Sequence, residues 1–314
     1  MKVYLISSAK MEELYIEDWV NYYLNLGIDK IIINDNNDKD YPYQLKDILK
    51  QYIDNGQVIV ERYYDTHKLE KETSEKELKF ILTWLYNKYK DSCEWMLKMD
   101  IDEYLEIPET NNDIRNFLLQ DKFNNIDCIV LPWKLYKVKK EYLKYYNRLS
   151  NNERFEVKTP EKHKYCKHKQ CFKYIIKCPN IIECSTHLPS NIYVEKDNQI
   201  IYYDINKIVF PDGQHINESF YGNKNDTENT KDNIIYKEYL YKLYNIAFIN
   251  HYRYKSDEEF FMQFDKLELY NHPSLGNQYI KNKKLYEDLC LKYPEWADKQ
   301  NRRDLYKIYF IDNK

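Results

Sequence analysis

The opening 35 residues constrain the fold more than any other stretch of the chain. Lys2 to Ile6 is a short apolar run that reads as a strand, and Ser7 to Glu12 as the loop after it. Tyr15, Ile16, Trp19, Val20, Tyr23 and Leu26 then recur at the spacing of one helical face. Gly27 supplies a C-terminal stop, and Lys30 to Asn34, nearly pure isoleucine, is a second strand. Strand, helix and strand in that order imply a parallel pair joined by a right-handed crossover.

The alternation continues. Leu45, Ile48, Leu49 and Tyr52 mark a second amphipathic helix closed by Asn55-Gly56, and Val58 to Glu61 is a third strand. After a polar loop, Ser74-Glu75-Lys76-Glu77 has the form of a capping box and opens a helix bearing Leu78, Ile81, Leu82, Leu85 and Tyr89. The pattern predicts an α/β fold with a Rossmann-like sheet. The chain has neither Gly-x-Gly-x-x-Gly nor a P-loop, so a glycine-rich turn does not grip phosphates here. Further on, Asn112 or Asp113 caps a short helix reaching Gln120. Cys128 to Pro132, Phe172 to Lys177 and Leu243 to His251 read as strands, and Ser256 with Glu259 forms another capping box. The expected division is a catalytic domain over 1–255, with a nucleotide-binding half (1–135) and an acceptor half (136–255), then a helical extension over 256–314.

The most suggestive chemistry lies in Trp95-Met96-Leu97-Lys98-Met99-Asp100-Ile101-Asp102-Glu103-Tyr104-Leu105. A buried strand stops at three carboxylates, which puts charge at the carboxyl edge of the sheet, where open α/β sheets bind ligands. In extended backbone Asp100 and Asp102 leave on one face. Two hard oxygen donors aimed at one point suit Mn²⁺ or Mg²⁺, held against the diphosphate of a nucleotide-sugar. Asp38-Lys39-Asp40 repeats the spacing in a polar stretch and reads as a solvated loop. Asp35, at the end of the second strand, is either an acceptor for a base or ribose, or part of an Asx turn. His251, ending its own apolar run, is either a third ligand beside the carboxylates or a histidine at the edge of the core. Between 163 and 187 lie His163, Cys166, His168, Cys171, Cys178, Cys184 and His187. They pose a choice between a structural zinc site and reduced thiols in a small subdomain. No pair among them has Cys-x-x-Cys spacing.

The net charge of −3 offers no electrostatic footprint for nucleic acid. Met1 to Ile6 is too short for the apolar region of a signal peptide, and no apolar run approaches the roughly 18 residues of a membrane span. The expectation is a cytoplasmic protein that can rest on a membrane surface. Seven cysteines in a chain of this size argue against a disulfide framework.

Several stretches together resemble the nucleotide-sugar glycosyltransferases of GT-A fold, specifically the family 92 and family-2-like group. The matching stretches are Lys10-Met11-Glu12, Glu17-Asp18-Trp19 (with an inserted Asp), Gly27, Asp35-Asn36, Asp100 to Leu105, Lys173 to Lys177 followed by His187, and His251 to Phe260. The likeness covers about residues 2–270. It departs at Lys266-Leu267-Glu268, where the family has an arginine-glycine pair. The resemblance implies a mixed, mainly parallel GT-A sheet flanked by helices. It also implies transfer of a sugar, from a UDP-sugar by expectation, to a glycan or to a lipid-linked or protein-linked acceptor. In that likeness Lys10 and Glu12 belong to the donor site and Asp35 contacts the base. Asp100 contacts ribose or metal, Asp102 binds Mn²⁺, and His251 is the third protein ligand. Lys173 and Lys255 neutralise phosphate.

An inverting reaction also needs a general base. Glu183 and His187 are the candidates after the sheet, each weighed against a structural role. Two other readings stand beside glycosyl transfer: a nucleotidyltransferase or phosphohydrolase using the same aspartates, and a non-catalytic, zinc-stabilised binding module.

Overall fold

The computed structural model describes residues 1–67, 74–144, 151–157, 172–179, 184, 193–196, 199–202, 205–216, 232–262 and 277–296. The strands are β1 (Val3–Ala9), β2 (Lys30–Asp35), β3 (Val58–Glu61), β4 (Trp95–Lys98), β5 (Glu103–Glu106), β6 (Cys128–Val138), β7 (Phe155–Val157), β8 (Phe172–Lys177), β9 (Tyr193–Lys196), β10 (Gln199–Tyr202), β11 (Ile208–Val209) and β12 (Phe248–Tyr254). Ten of them form one sheet in the order β3-β2-β1-β4-β8-β6-β12-β5, with β7 and β11 each paired to β6; β9 and β10 form a separate hairpin.

The first unit folds as its periodicity dictates. Helix Ile16–Leu26 buries Ile16, Trp19, Val20, Tyr23 and Leu26. Gly27 ends it at φ 102°, its N–H bonded to the Leu24 carbonyl. A left-handed residue costs glycine nothing sterically and frees the chain to enter β2. The strands β1, β2 and β3 are parallel, and Ile31, Ile32 and Ile33 are fully buried. Burial of a side chain of that size is worth about 1.5–3 kcal/mol, so this small patch anchors one end of the sheet.

Strand direction brings the functional residues together. β1 and β4 run parallel, while β8 is antiparallel to both β4 and β6. Two reversals restore the direction of β4 in β6, and β12 runs parallel to β6. The carboxyl ends of β1, β2, β4 and β12 therefore share one edge of the sheet. β8 begins at that edge, which places Lys173, its second residue, beside the end of β4. A four-residue turn joins β4 to β5, yet they stand fourth and eighth in the strand order, so the sheet curls round on itself there.

Two expectations are corrected. The run from Leu243 to His251 is not one strand: Leu243 ends helix Asp232–Leu243, and β12 starts at Phe248, where pairing with Glu106 begins. Leu243 and Ala247 are both fully buried, so the apolar run continues through the helix end and hides the turn. The second is the backbone at Asp100 and Asp102, described below. The helix after Asp113 spans Ile114–Leu118, and the Asp113 carboxylate accepts the Asn116 N–H at 2.9 Å. β6 runs across the expected division at residue 135.

Candidate active site

The chain between β4 and β5 is a tight turn, closed by the Glu103 N–H on the Asp100 carbonyl at 3.1 Å. The same-face expectation for Asp100 and Asp102 required extended backbone, and it fails here because β4 ends at Lys98. The turn is held from several sides. The Trp19 indole donates to the carbonyls of Asp100 and Glu103 at 3.1 and 3.0 Å. The Tyr23 hydroxyl donates to Glu103 O at 3.0 Å, and the Ser7 hydroxyl to Met99 O at 2.7 Å.

The turn sends its two aspartates to different partners. Asp100 lies between two lysines, with Lys98 Nζ at 2.5 Å from Oδ1 and Lys173 Nζ at 2.6 Å from Oδ2. Glu103 completes the cluster: its Oε2 accepts the Asp100 N–H at 2.9 Å and lies 3.2 Å from Lys173 Nζ. The side chains of Lys173 and Glu103 are wholly buried and that of Lys98 is 1% exposed. Burial at this edge is affordable only because charges of both signs meet there. Burial alone would raise the Asp100 carboxyl, but Lys173 and Lys98 outweigh it and hold it well below the usual carboxylate range. Burial also pushes Lys98 down to about 8, helped by the charge of Lys173. Lys173 is shifted upward despite its burial, because Asp100 and Glu103 both face it. Burial raises Glu103, whose Oε1 has no hydrogen-bond partner among the described residues.

Asp102 has a different partner. Its Oδ2 lies 3.4 Å from His251 Nε2, and its backbone carbonyl accepts the Tyr252 N–H at 2.9 Å. The imidazole packs against Trp133, ring centres 4.3 Å apart. Burial would raise Asp102, but His251 and Lys255 outweigh it and hold the carboxyl low. Lys255 Nζ stands 3.8 Å from the centre of the Tyr15 ring, a cation–π contact. The Tyr15 hydroxyl donates to Glu259 at 2.8 Å, and Glu259 also binds buried Arg154 at 2.6 Å. The expected box at Ser256 is formed, with Ser256 Oγ donating to Glu259 Oε2 at 2.6 Å and accepting the Glu259 N–H at 3.2 Å.

On the other side of the edge, β2 ends in an Asx turn, with Asn37 N–H on Asp35 Oδ1 at 3.0 Å. Asp35 Oδ2 pairs with Arg62 at 3.2 Å, and Arg62 also donates to the Asn37 carbonyl at 2.5 Å. Burial raises the Asp35 carboxyl in spite of these partners. Lys10, Asn36, Asp38, Arg62, Tyr64 and Ile81 are among the residues lining a cleft of about 340 Å³ beside this turn. Lys10 Nζ lies 3.8 Å from Asp38, and Glu12 is buried. Asp38, Lys39 and Asp40 are exposed, as a solvated loop should be.

The fold thus gathers Asp100 with Lys173, and separately Asp102 with His251. Asp100 does not join the second pair, and among the described residues no group of three His, Cys, Asp or Glu is placed to hold a metal ion. Glu183 and His187 lie outside the described residues, as do His163, Cys166, His168 and Cys171 of the Cys/His cluster and the side chain of Ser74 in its capping box. Sequence reasoning assigned no role to Lys98, Glu103 or Arg62. The available signal was a lysine inside an otherwise apolar strand, two residues before an aspartate.

Comparison with known proteins identifies the class. The model of glycosyltransferase family 92 matches residues 7–288. The chain belongs to that family. Its mixed α/β sheet, flanked by helices, is the fold class expected from the sequence. Among solved structures it is similar to S. aureus TarS, with 16% identity and a TM-score of 0.32, over 46% of this chain and 24% of that one. It is also similar to a glycosyltransferase involved in glycosylation of the major capsid of PBCV-1, with 15% identity and a TM-score of 0.25, over 56% and 61% of the two chains. A third likeness is to mannose-1-phosphate geranyltransferase from Thermus thermophilus, with 13% identity and a TM-score of 0.28, over 56% and 58%. The chain spans about a quarter of TarS and about three-fifths of the other two. No curated protein matches the chain. Among the described residues no helix is long and apolar enough to cross a membrane.

Proposed function

We propose that this protein is a glycosyltransferase that moves a sugar from a UDP-sugar to a glycan, or to a lipid-linked or protein-linked acceptor, with inversion and with a divalent cation, Mn²⁺ or Mg²⁺. The observation that carries the reading is the pairing of Asp102 with His251 at the sheet edge where Lys98 and Lys173 also converge. A carboxylate oxygen and an imidazole nitrogen 3.4 Å apart have the separation of neighbouring ligands on one ion. These cations bind through few protein donors and take substrate phosphates and water for the rest, so the donor set fits. In this assignment Asp102 and His251 hold the cation. Asp100, both of its oxygens already on lysines, acts toward the ribose or orders the lysines.

The protein's own residues then divide the work. The cleft beside Arg62 and Asn36 takes the nucleotide, with Asp35 fixing Arg62 in place. Rupture of the sugar–phosphate bond leaves a diphosphate with growing negative charge. The bound cation supplies Lewis-acid stabilisation of that charge. Lys173 and Lys98 are preorganised cations at the same edge and cost little reorganisation as the charge develops. Lys255 adds positive potential beside Asp102. Inversion requires a base on the acceptor side, a role we assign to the segment carrying Glu183 and His187.

The test is hydrolysis of UDP-sugars by purified protein with and without Mn²⁺. Turnover that requires the metal and is abolished in Asp102→Ala supports the proposal. Turnover of a nucleoside triphosphate instead, or stabilisation by another nucleotide and not by UDP, overturns the donor assignment.

A further inference from the structure

Beyond the sugar-transfer site, the opposite end of the same two strands carries a pair of thiols. Cys93 lies just before β4, and Cys178 immediately follows β8. The two strands pair antiparallel, with Trp95 opposite Lys177, and the Cys178 N–H bonds the Glu94 carbonyl at 2.8 Å. The ladder places Glu94 opposite Cys178, and Cys93, one residue beyond it, brings its sulfur to 3.7 Å from that of Cys178, with the Cys93 thiol donating. Both cysteines are partly exposed, whereas Cys128 and Cys184 are buried in the core. The hydrogen bond to Cys178, together with burial, keeps the Cys93 thiol protonated well above the ordinary range.

We infer that Cys93 and Cys178 are an oxidation site that closes to a disulfide with hydrogen peroxide or another two-electron oxidant. Cys178, the sulfur that accepts the hydrogen bond, attacks the peroxide. One oxygen passes to it as sulfenic acid and the other leaves as water. Cys93 then attacks that sulfur, the S–O bond breaks, and the displaced hydroxide leaves as water with the Cys93 proton. The balance is two thiols and one peroxide giving one disulfide and two waters. The sulfurs must close from 3.7 Å to about 2.05 Å. The bond joins the strand that leads into Asp100 to the strand that carries Lys173, at the end away from both.

The test is oxidation of the full chain with a small excess of hydrogen peroxide, alkylation of remaining thiols, and digestion with trypsin plus a glutamate-specific protease. Cleavage after Glu183 separates Cys178 from Cys184. The expected product joins the Cys93 peptide to the Cys178 peptide, disappears on reduction, and is absent from Cys93→Ser and from Cys178→Ser. Oxidised wild type should also melt about 5 °C higher than reduced, and neither serine variant should show that rise. A Cys178 sulfinic acid with no cross-link, a cross-link to any other cysteine, or full recovery of alkylated Cys93 and Cys178 would overturn the inference. The serine variants replace partly exposed side chains, so their melting curves when reduced show directly whether they fold.

Discussion

Lys173 Nζ lies 2.6 Å from Asp100 and 3.2 Å from Glu103, so one wholly buried ammonium serves two carboxylates, one in the turn after β4 and one at the start of β5. Removing it leaves Glu103 buried without its countercharge. Lys173→Met should cost about 3–5 kcal/mol, measured by urea unfolding. A second change, Asp100→Asn, should cost less in the Lys173→Met background than in wild type, because the pair is coupled.

The Arg154–Glu259 pair makes a prediction with a definite sign in pH. Burial would raise the Glu259 carboxyl, but Arg154, Lys255 and Ser256 outweigh it and lower it from 4.5. A carboxyl whose folded value lies below its unfolded one stabilises the fold above the unfolded value, and that stability is lost as pH falls through the folded value. Wild type should therefore lose stability as pH falls below about 4.5. Glu259→Gln should be less stable at pH 7 by about 3 kcal/mol and should show a shallower acid slope. Chemical denaturation from pH 7 to pH 3 reads both.

Trp19 fixes the turn through two carbonyls. Trp19→Phe keeps most of the buried ring and removes both hydrogen bonds. A small displacement of reacting groups is costly, so kcat for donor hydrolysis should fall roughly 10-fold with the melting temperature lowered by only a few degrees. An unchanged kcat would show that the turn keeps its place without the indole.

Arg62 lines the cleft proposed to take the nucleotide and is held by Asp35. Arg62→Ala should raise KM for the nucleotide-sugar about 10-fold and leave kcat nearly unchanged, the pattern of lost uniform binding. A fall in kcat at unchanged KM would place Arg62 at the chemistry instead.

The elements that could be read from sequence were those whose pattern is local. Helix Ile16–Leu26 buries the residues its spacing picks out, and Gly27 ends it in the left-handed conformation expected of a stop. The box at Ser256 and Glu259 follows from a three-residue spacing alone. What escaped depended on partners far along the chain. Lys98 and Lys173 are 75 positions apart, yet both oxygens of Asp100 are theirs. The bend that separates Asp100 from Asp102 carries neither glycine nor proline to announce it, because its hydrogen bonds come from Trp19, Tyr23 and Ser7. The end of the helix at Leu243 was hidden for a similar reason, since both it and the following strand bury apolar residues.

The pairing of Asp102 with His251 is the claim on which the proposed chemistry rests, and calorimetric titration of UDP into metal-free and Mn²⁺-loaded protein tests it most directly. The account predicts UDP binding that requires Mn²⁺ in wild type and weakens about 100-fold in Asp102→Asn, with the variant still folded. UDP binding of equal strength with and without Mn²⁺, or in Asp102→Asn and wild type alike, would contradict it.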